Sequence, residues 1–258
     1  MLSQVSKRGA EVWQQTVPAK EGRHSARRDK SRRELVDWLG PAGTLLLDRC
    51  DTERTLACGD YLVRGTDAGA EFCILLRGVM SLYGESPSRN LKVQDYRYPG
   101  DLIAPARPSV SWGVNVKALT VAQLLIFPFS DVRSWCKEEP ELGCCLFECF
   151  CSDLARRTER LRHHWCLPAQ GRLATFLLEV SDRIGKRSGR SMSVCLPMAH
   201  NEIAKHLNIR TETVCRVLSG WKAEGLIEME TPRNVQVPDA ALLEAKTLPE
   251  RRRPRKNL

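Results

Sequence analysis

Short apolar runs separated by turn residues occupy the chain from about residue 50 to residue 130. The runs cover residues 55–58, 61–63, 72–76, 79–83, 91–98, 115–118 and 121–127. Gly59, Gly78, Gly84 and Gly100 lie between runs, where the chain has to turn. Short strands with turns between them predict an antiparallel sandwich or barrel in this part of the chain.

Helical periodicity replaces this pattern after about residue 141. Residues 141–165 contain no proline, and one helical face is apolar. This stripe consists of Phe147, Phe150, Leu154, Leu161 and Trp165. The spacing predicts one long amphipathic helix, which Pro168 ends. We expect the stripe to be covered by the barrel, by the next domain or by the same helix of a second subunit.

Two closely spaced helices are predicted near the C-terminus. In residues 201–207, Ile203, Ala204 and Leu207 share one face, and the small Ala204 allows a second helix to pack closely. We expect the chain to reverse direction between the two helices at Asn208, because asparagine tolerates the left-handed backbone conformation. Residues 211–223 predict the second helix, whose apolar face consists of Val214, Val217, Leu218 and Trp221.

The opposite face of the second helix carries polar and charged side chains. It presents Glu212, Cys215, Arg216 and Ser219, with Arg210 and Thr211 at its start. In the major groove of DNA, arginine pairs with guanine through two hydrogen bonds, and glutamate accepts a hydrogen bond from cytosine. We therefore predict a recognition helix, with phosphate contacts from Lys205, His206 and Lys222. Any amphipathic helix pair shares the buried pattern, and that simpler alternative stays open.

A basic hairpin is predicted after the helix pair. Leu226, Ile227 and Met229 precede Thr231-Pro232-Arg233-Asn234, and residues 235–237 form another apolar run. Arg233 at the tip can lie against a DNA backbone, which favours DNA binding over the simpler alternative. Upstream, we expect a polar loop over residues 185–190 and a strand over residues 192–196.

These motifs resemble a known family. Asn201-Glu202-Ile203-Ala204 and Thr211-Glu212-Thr213-Val214-Cys215-Arg216 in the helices, and Gly100-Asp101-Leu102-Ile103 in the barrel, resemble the Crp/Fnr family of bacterial transcription regulators. The resemblance covers roughly residues 34–240. It implies an α+β fold with an N-terminal antiparallel β-barrel or jelly roll of the cyclic-nucleotide-binding type, a long dimerisation helix and a C-terminal winged helix-turn-helix.

The resemblance also implies domain boundaries and partners. We expect a disordered basic arm (1–30), a β-barrel sensor domain (31–139), a dimerisation helix (140–167), a winged helix-turn-helix domain (168–248) and a basic tail (249–258). The implied partners are double-stranded DNA with a two-fold symmetric operator, a second copy of the chain and RNA polymerase. The resemblance assigns base reading to Glu212 and Arg216, with Thr211 and Cys215 at variable positions. Arg210 departs from the family's usual small capping residue.

Charge and hydropathy limit the class of protein. The 258-residue chain has a net charge of +9. Residues 1–33 hold nine Lys or Arg against three acids, and residues 249–258 hold five against one, so residues 34–248 are nearly neutral. Global charge therefore does not by itself indicate a nucleic-acid partner. The chain shows neither a run long enough for a membrane helix nor the apolar block of a signal peptide, so we expect a cytoplasmic protein without a membrane partner.

A cyclic nucleotide is not expected as the effector. By the family resemblance, a Gly-Glu pair after the Gly-Asp turn and a later arginine would hold its phosphate, whereas this chain has Ala104-Pro105 and Trp112 there. A phosphodiester needs a guanidinium group or backbone donors, and Pro105 lacks an N–H group. The family's oxygen sensors hold an iron–sulfur cluster through an N-terminal cysteine group, whereas the first cysteine here is Cys50.

Eleven cysteines leave the effector open. Five of them surround the start of the long helix, namely Cys136, Cys144, Cys145, Cys149 and Cys151. They suggest a redox or metal site, in which an iron–sulfur cluster or another thiolate-bound metal spans the dimer axis or recruits Cys136. One helix cannot direct its four cysteines at one metal. The alternative treats cysteines as small buried hydrophobic residues, and we expect this of Cys50, Cys58, Cys73 and Cys195.

Two alternatives to a transcription regulator are an enzyme and a non-catalytic signalling or scaffold protein. The chain lacks the Gly-x-x-x-x-Gly-Lys phosphate loop, the His-Glu-x-x-His zinc motif and an evident nucleophile elbow, so an enzyme is not predicted. The alternative is a non-catalytic signalling or scaffold protein whose barrel binds a ligand. Sequence-selective DNA binding would separate that alternative from a regulator.

Overall fold

Two compact units make up the chain, residues 1–152 and residues 153–258. The computed structural model describes residues 41–50, 52–63, 71–85, 91–103 and 114–247. The predictions for residues 1–30 and 249–258, and for Ala104, Pro105 and Trp112, lie outside these ranges. In the part of the chain that the structure describes, no helix is long and apolar enough to cross a membrane.

Antiparallel strands in two four-stranded sheets form the first unit. The strands are β1 (Glu53–Leu56), β2 (Tyr61–Val63), β3 (Glu71–Arg77), β4 (Met80–Glu85), β5 (Leu91–Arg97), β6 (Leu102–Ile103), β7 (Val114–Ala118) and β8 (Ala122–Pro128). One sheet has the order β1-β8-β3-β6 and the other β2-β7-β4-β5, so the chain crosses repeatedly between sheets. This arrangement confirms the predicted antiparallel jelly roll.

Among the described residues of the first unit, three helices begin. They are α1 (Pro41–Asp48), α2 (Phe129–Glu138) and α3 (Pro140–Cys166). The long helix predicted over residues 141–165 is confirmed as α3, and the division between the two units falls within it. The sequence pattern did not predict α1 or α2.

Strand β3 is buried on both faces, which explains its continuous apolar run. Cys73 and Leu75 join the core between the two sheets. Phe72, Ile74 and Leu76 join a second core, built with apolar side chains from the three helices. Successive side chains of a strand point to opposite faces, so β3 contributes to two cores at once.

Two glycine turns hold this sandwich together. Gly78 has a φ of +90°, and a Cβ atom there would lie 2.4 Å from the carbonyl oxygen of Val121. Gly100 has a φ of 89°, and its N–H donates to the carbonyl of Leu75 at 2.8 Å. The carboxylate of Asp101 accepts from the N–H of Tyr98 at 2.9 Å. The Gly-Asp motif of the barrel therefore has a structural explanation as a tight turn before β6.

The second unit contains a helix pair and a small sheet. After α3 come α4 (Ala169–Ile184), β9 (Lys186–Ser188), β10 (Ser191–Cys195), α5 (His200–Leu207), α6 (Thr211–Ala223), β11 (Glu228–Met229), β12 (Asn234–Val237) and α7 (Ala240–Ala245). The sheet has the order β11-β12-β10-β9. A winged helix-turn-helix is thus confirmed. The polar loop expected over residues 185–190 is wrong in part, because residues 186–188 pair with β10 as a strand.

Candidate nucleic-acid interface

A tight reversal positions α6 after α5. Asn208 adopts the predicted left-handed conformation, with φ 52° and ψ 49°. The N–H of Ile209 donates to the carbonyl of Ala204 at 3.0 Å, which satisfies a backbone group at the end of α5. Arg172 of α4 donates from Nη1 to the carbonyl of Leu207 at 2.9 Å, so α4 holds this end in place.

The two faces of α6 separate as the sequence predicted. Its buried side chains are Val214, Val217, Leu218 and Trp221. Its exposed side chains include Glu212, Cys215, Arg216 and Ser219. Thr211 is half-buried, and Arg210 is an exposed N-cap residue without a side-chain capping hydrogen bond. The helix therefore presents a row of polar groups to solvent over an apolar base.

The wing formed by β11 and β12 is tied to the rest of the unit by side chains predicted to contact phosphates. Lys222 of α6 donates from Nζ to the carbonyl of Met229 at 3.0 Å. Arg233 is half-buried, and its Nη1 donates to the carbonyl of Pro197 at 3.4 Å. Both cations thus support the wing, and a DNA phosphate would have to compete with these backbone carbonyls.

The two remaining phosphate candidates, both on α5, differ in exposure. Lys205 is exposed. His206 is buried, and its ring centroid lies 5.6 Å from that of Phe176 in α4. The prediction that His206 contacts a phosphate is therefore wrong. At 100° per residue, position 206 falls on the same side of the helix as Ile203 and Leu207, which face the core.

A histidine adjoins the exposed cysteine of α6. The Sγ atom of Cys215 lies 3.6 Å from Nδ1 of His200, the first residue of α5. The Nε2 atom of the same ring lies 2.8 Å from the carbonyl oxygen of Pro232 in the wing. Sequence reasoning missed His200, because its two partners are 15 and 32 positions away. Only the tertiary fold brings the three groups together.

The five cysteines predicted as a metal or redox site do not gather in one place. Cys136, Cys145 and Cys149 pack against the core of the first unit, whereas Cys144 and Cys151 are exposed. Burial raises the pKa of the Cys136 thiol, which disfavours the thiolate that metals bind. Over the described ranges, no three His, Cys, Asp or Glu side chains are placed to hold a metal ion.

The cysteines expected to be buried divide into two groups. Cys73 is buried and Cys50 is half-buried, whereas Cys58 and Cys195 are exposed. The prediction of burial is wrong for these last two. Along β10, Met192 and Val194 point inward, so the alternation of a strand turns Cys195 outward.

A buried ion pair in the first unit was also missed. On β5, Nη1 of Arg97 lies 2.7 Å from Oδ2 of Asp95, and the two side chains are 1% and 5% exposed. The other carboxylate oxygen accepts from the N–H of Tyr96 at 2.9 Å. Residues two apart in a strand share a face, which is why these opposite charges meet. The apolar run over residues 91–98 predicts a strand but gives no sign of an ion pair on it.

Comparison with known proteins places the second unit in a class. Residues 171–246 match the family described as the Crp-like helix-turn-helix domain. The matched range contains α5, the reversal at Asn208, α6 and the wing. The protein is therefore of the helix-turn-helix class of DNA-binding regulators.

Curated relatives extend the likeness beyond this domain. The chain is 23% identical over 178 residues to the transcriptional activator protein Anr of Pseudomonas aeruginosa, covering 69% of this chain and 73% of the relative. It is 27% identical over 172 residues to the nitrogen fixation regulation protein FixK of Bradyrhizobium diazoefficiens, covering 66% of this chain and 71% of that protein. The domain match and these relatives support the resemblance to the Crp/Fnr family of bacterial transcription regulators that the sequence motifs indicated.

A solved structure has the same fold. FixK2 from Bradyrhizobium japonicum superposes with a TM-score of 0.67 at 18% sequence identity, covering 76% of this chain and 97% of that one. Both curated relatives carry the names of regulators, and with the helix-turn-helix match they indicate that the chain is a transcription regulator rather than an enzyme.

Proposed function

We propose that this regulator binds a two-fold symmetric operator in double-stranded DNA as a homodimer. The observation that carries the proposal is the exposed polar row of α6, which lies opposite a fully apolar buried face. A helix held this way by a second helix and a wing can enter the major groove with its polar row against the base edges. Two such helices, related by a two-fold axis, would read two half-sites.

Base reading is assigned to two charged residues one turn apart. Glu212 and Arg216 are both exposed, and positions i and i+4 lie on the same side of a helix. Arg216 suits a guanine, through its two parallel N–H donors, and Glu212 suits the amino group of a cytosine. Lys205 and Arg210 are exposed cations at the ends of this surface, where they suit phosphates.

The dimer contact is assigned to α3, because its exposed apolar residues follow a heptad. Phe147, Leu154 and Leu161 are spaced by seven residues and are 69%, 65% and 54% exposed. Cys151 and Trp165 lie four residues after Phe147 and Leu161, and both are exposed. Alternating steps of four and three are the pattern of a two-stranded coiled coil. In a second copy of the chain α3 carries the same apolar repeat, so two copies of the helix can pair along it.

Charges beside the heptad are compensated within the helix. Arg157 lies 2.8 Å from the carboxylate of Asp153, measured from Nη2 to Oδ2. Arg162 donates from Nε to Glu159 at 2.8 Å. Arginines of two facing helices would otherwise repel each other next to the apolar contact. Their own acidic partners reduce this repulsion, which is consistent with pairing of two identical helices.

Selection from a randomised pool of DNA duplexes tests the DNA-binding half of the proposal. We expect the chain to enrich a two-fold symmetric sequence. The Arg216→Ala variant should lose about 1–3 kcal/mol on that sequence and relax one base position in each half-site. Arg187→Ala is the matched control, because Arg187 is an exposed arginine on β9 that forms an ion pair with Asp182.

The Arg187→Ala control should select the same DNA sequence as the unaltered chain. An equal loss for Arg216→Ala on the selected and on random duplexes would reject the base contact. Enrichment of no sequence at all would favour the alternative of a non-catalytic signalling or scaffold protein.

Sedimentation of a helix variant tests the dimer. Leu154→Lys places a charge in the centre of the heptad, so we expect the variant to sediment as a monomer where the unaltered chain is a dimer. Leu242→Lys on α7 is the control, because Leu242 is 55% exposed and lies outside α3. A Leu154→Lys variant that remains a dimer would exclude α3 as the contact.

Contact with RNA polymerase stays a prediction from the family resemblance.

A further inference from the structure

Cys215 stands in the middle of the proposed DNA-reading surface and next to a histidine. We propose that Cys215 and His200 form a peroxide-reactive pair, and that oxidation of this thiol weakens DNA binding. The inference rests on the proposed function in one respect only, namely the effect on DNA. The chemistry of the pair rests on its own geometry.

The partners of His200 fix which ring nitrogen carries a proton. A carbonyl oxygen only accepts hydrogen bonds, so Nε2, 2.8 Å from the oxygen of Pro232, is the donor. In a neutral imidazole the other nitrogen is then an acceptor. Nδ1 lies 3.6 Å from Sγ of Cys215, so the thiol proton points at a base. A nucleophile, a base and a third group that orients the base are the parts of an activated nucleophile.

This arrangement allows a balanced two-electron oxidation by a hydroperoxide. Nδ1 of His200 takes the thiol proton as Sγ of Cys215 attacks the terminal peroxide oxygen, and the O–O bond breaks. A sulfur–oxygen bond forms, so sulfur is oxidised to a sulfenic acid and the peroxide is reduced. The leaving oxygen takes up a proton and departs as water or an alcohol. Two equivalents of a small thiol return the sulfenic acid to the thiol, with release of a disulfide and water.

The position of the sulfur decides the consequence for DNA. Cys215 is exposed, lies next to Arg216 in the chain and is three residues from Glu212. An added oxygen on Sγ occupies space beside the proposed base-reading side chains and brings a polar group to the base edges. Oxidation also alters the contact between Sγ of Cys215 and the ring of His200. The same ring links α5 to the wing through the carbonyl of Pro232.

Three other cysteines, Cys58, Cys73 and Cys195, are not arranged for the same reaction. The exposed Cys58 donates from Sγ to the carbonyl of Leu119 at 3.0 Å, and a carbonyl is not a base for the thiol proton. Cys195 lies on β10 in the same unit as Cys215, and partial burial of this largely exposed residue raises the pKa of its thiol. In Cys73, burial raises the pKa to about 12. These thiols serve as internal references in the same protein.

The first arm measures oxidation without DNA. The full chain is treated with hydrogen peroxide at neutral pH, sulfenic acids are trapped, and the Cys215 and Cys195 peptides are quantified by mass spectrometry over time. We expect Cys215 to react fastest, and His200→Gln to slow it by about 10-fold or more, because a general base is removed. The reactivity of Cys195 should be unchanged in this variant.

Cys195 separates loss of the base from loosening of the wing. It pairs with Asn234 of the wing strand β12, so a loosened wing would make Cys195 react faster. A His200→Gln variant in which Cys215 reacts as fast as before would overturn the base role. Slower oxidation of Cys215 that is accompanied by faster oxidation of Cys195 would also overturn the base role. The substitution would then act by loosening the wing.

The second arm measures affinity for the selected duplex before peroxide, after peroxide and after a thiol reductant. We expect a loss of at least about 10-fold that the reductant restores, the scale of losing a base contact. For the Cys215→Ser variant, the affinity after peroxide is compared with the affinity of the same variant before peroxide. The two values should be equal. Cys195→Ser should respond like the unaltered chain.

The two proposals fail in different ways. If the reduced chain selects no DNA sequence, the proposed function fails, while the first arm still decides the chemistry of Cys215. If the reduced chain selects a sequence and peroxide has no effect, or the effect persists in Cys215→Ser, the inference is overturned and the proposed function stands.

Discussion

Removing one member of the buried ion pair on β5 should destabilise the first unit strongly. The Asp95→Ala substitution leaves the guanidinium of Arg97, which is 1% exposed, without the carboxylate 2.7 Å away. Breaking a buried pair in this way costs about 3–5 kcal/mol, because an uncompensated charge stays in the interior. Arg54 and Glu71 offer the contrast, since they lie 3.8 Å apart and are each 42% exposed. Glu71→Ala should cost less than about 1 kcal/mol.

Hydrogen exchange followed by mass spectrometry suits this comparison, because it reports on each unit separately. Peptides from β4 and β5 should exchange about 100-fold faster or more in Asp95→Ala, whereas peptides from α6 should be unchanged. Asp95→Ala combined with Arg97→Met should recover much of the lost protection, because both charges are then absent. Unchanged exchange in Asp95→Ala, or a double variant as unstable as the sum of both single variants, would refute the assigned role of the pair.

Two further predictions concern a turn and a thiol of the first unit. Gly78→Ala should lower the free energy of unfolding by more than about 1 kcal/mol, since an added Cβ meets backbone atoms at 2.4 Å in a left-handed conformation. Gly59→Ala, with φ +100° and nothing within 4 Å, should cost less in the same thermal unfolding assay, and an equal cost would contradict the steric reasoning. Burial and the charge of Glu71 raise the pKa of Cys73 to about 12, so native Cys73 should resist iodoacetamide at pH 8. The exposed Cys58 should react first, and the reverse order by mass spectrometry would contradict this assignment.

Local periodicity explains why α6 was predicted residue by residue. Its buried set repeats every three or four positions, and the exposed row follows from the same geometry. Cys195 shows the opposite case, because its residue type suggested burial while its alternation with Val194 indicated exposure. The strand rule was the stronger guide there, since side-chain direction is set by the backbone and burial preference is only a tendency.

Contacts between distant segments could not be predicted from the sequence. Strand β9 has three exposed residues and no apolar pattern, and it forms only because β10 lies beside it. The pair of His200 and Cys215 joins two helices and depends on the angle that Asn208 gives to the chain. A sequence pattern states which face of each helix is polar, but it does not state which polar groups of two helices meet.

Charge on the proposed DNA-facing surface is mixed, which favours the proposed dimer over a monomer as the form that binds DNA. Arg216 and Lys205 are exposed beside Glu212, and the wing adds the exposed carboxylates of Glu228 and Glu230. Phosphate contacts supply most of the non-specific affinity for DNA, and exposed carboxylates reduce that contribution. A single recognition helix on such a surface would bind weakly, whereas two helices linked through α3 in the proposed dimer would bind with the advantage of a high effective concentration. Loss of either the proposed α3 contact or the proposed base contact should therefore weaken operator binding, although only the second alters which bases are read.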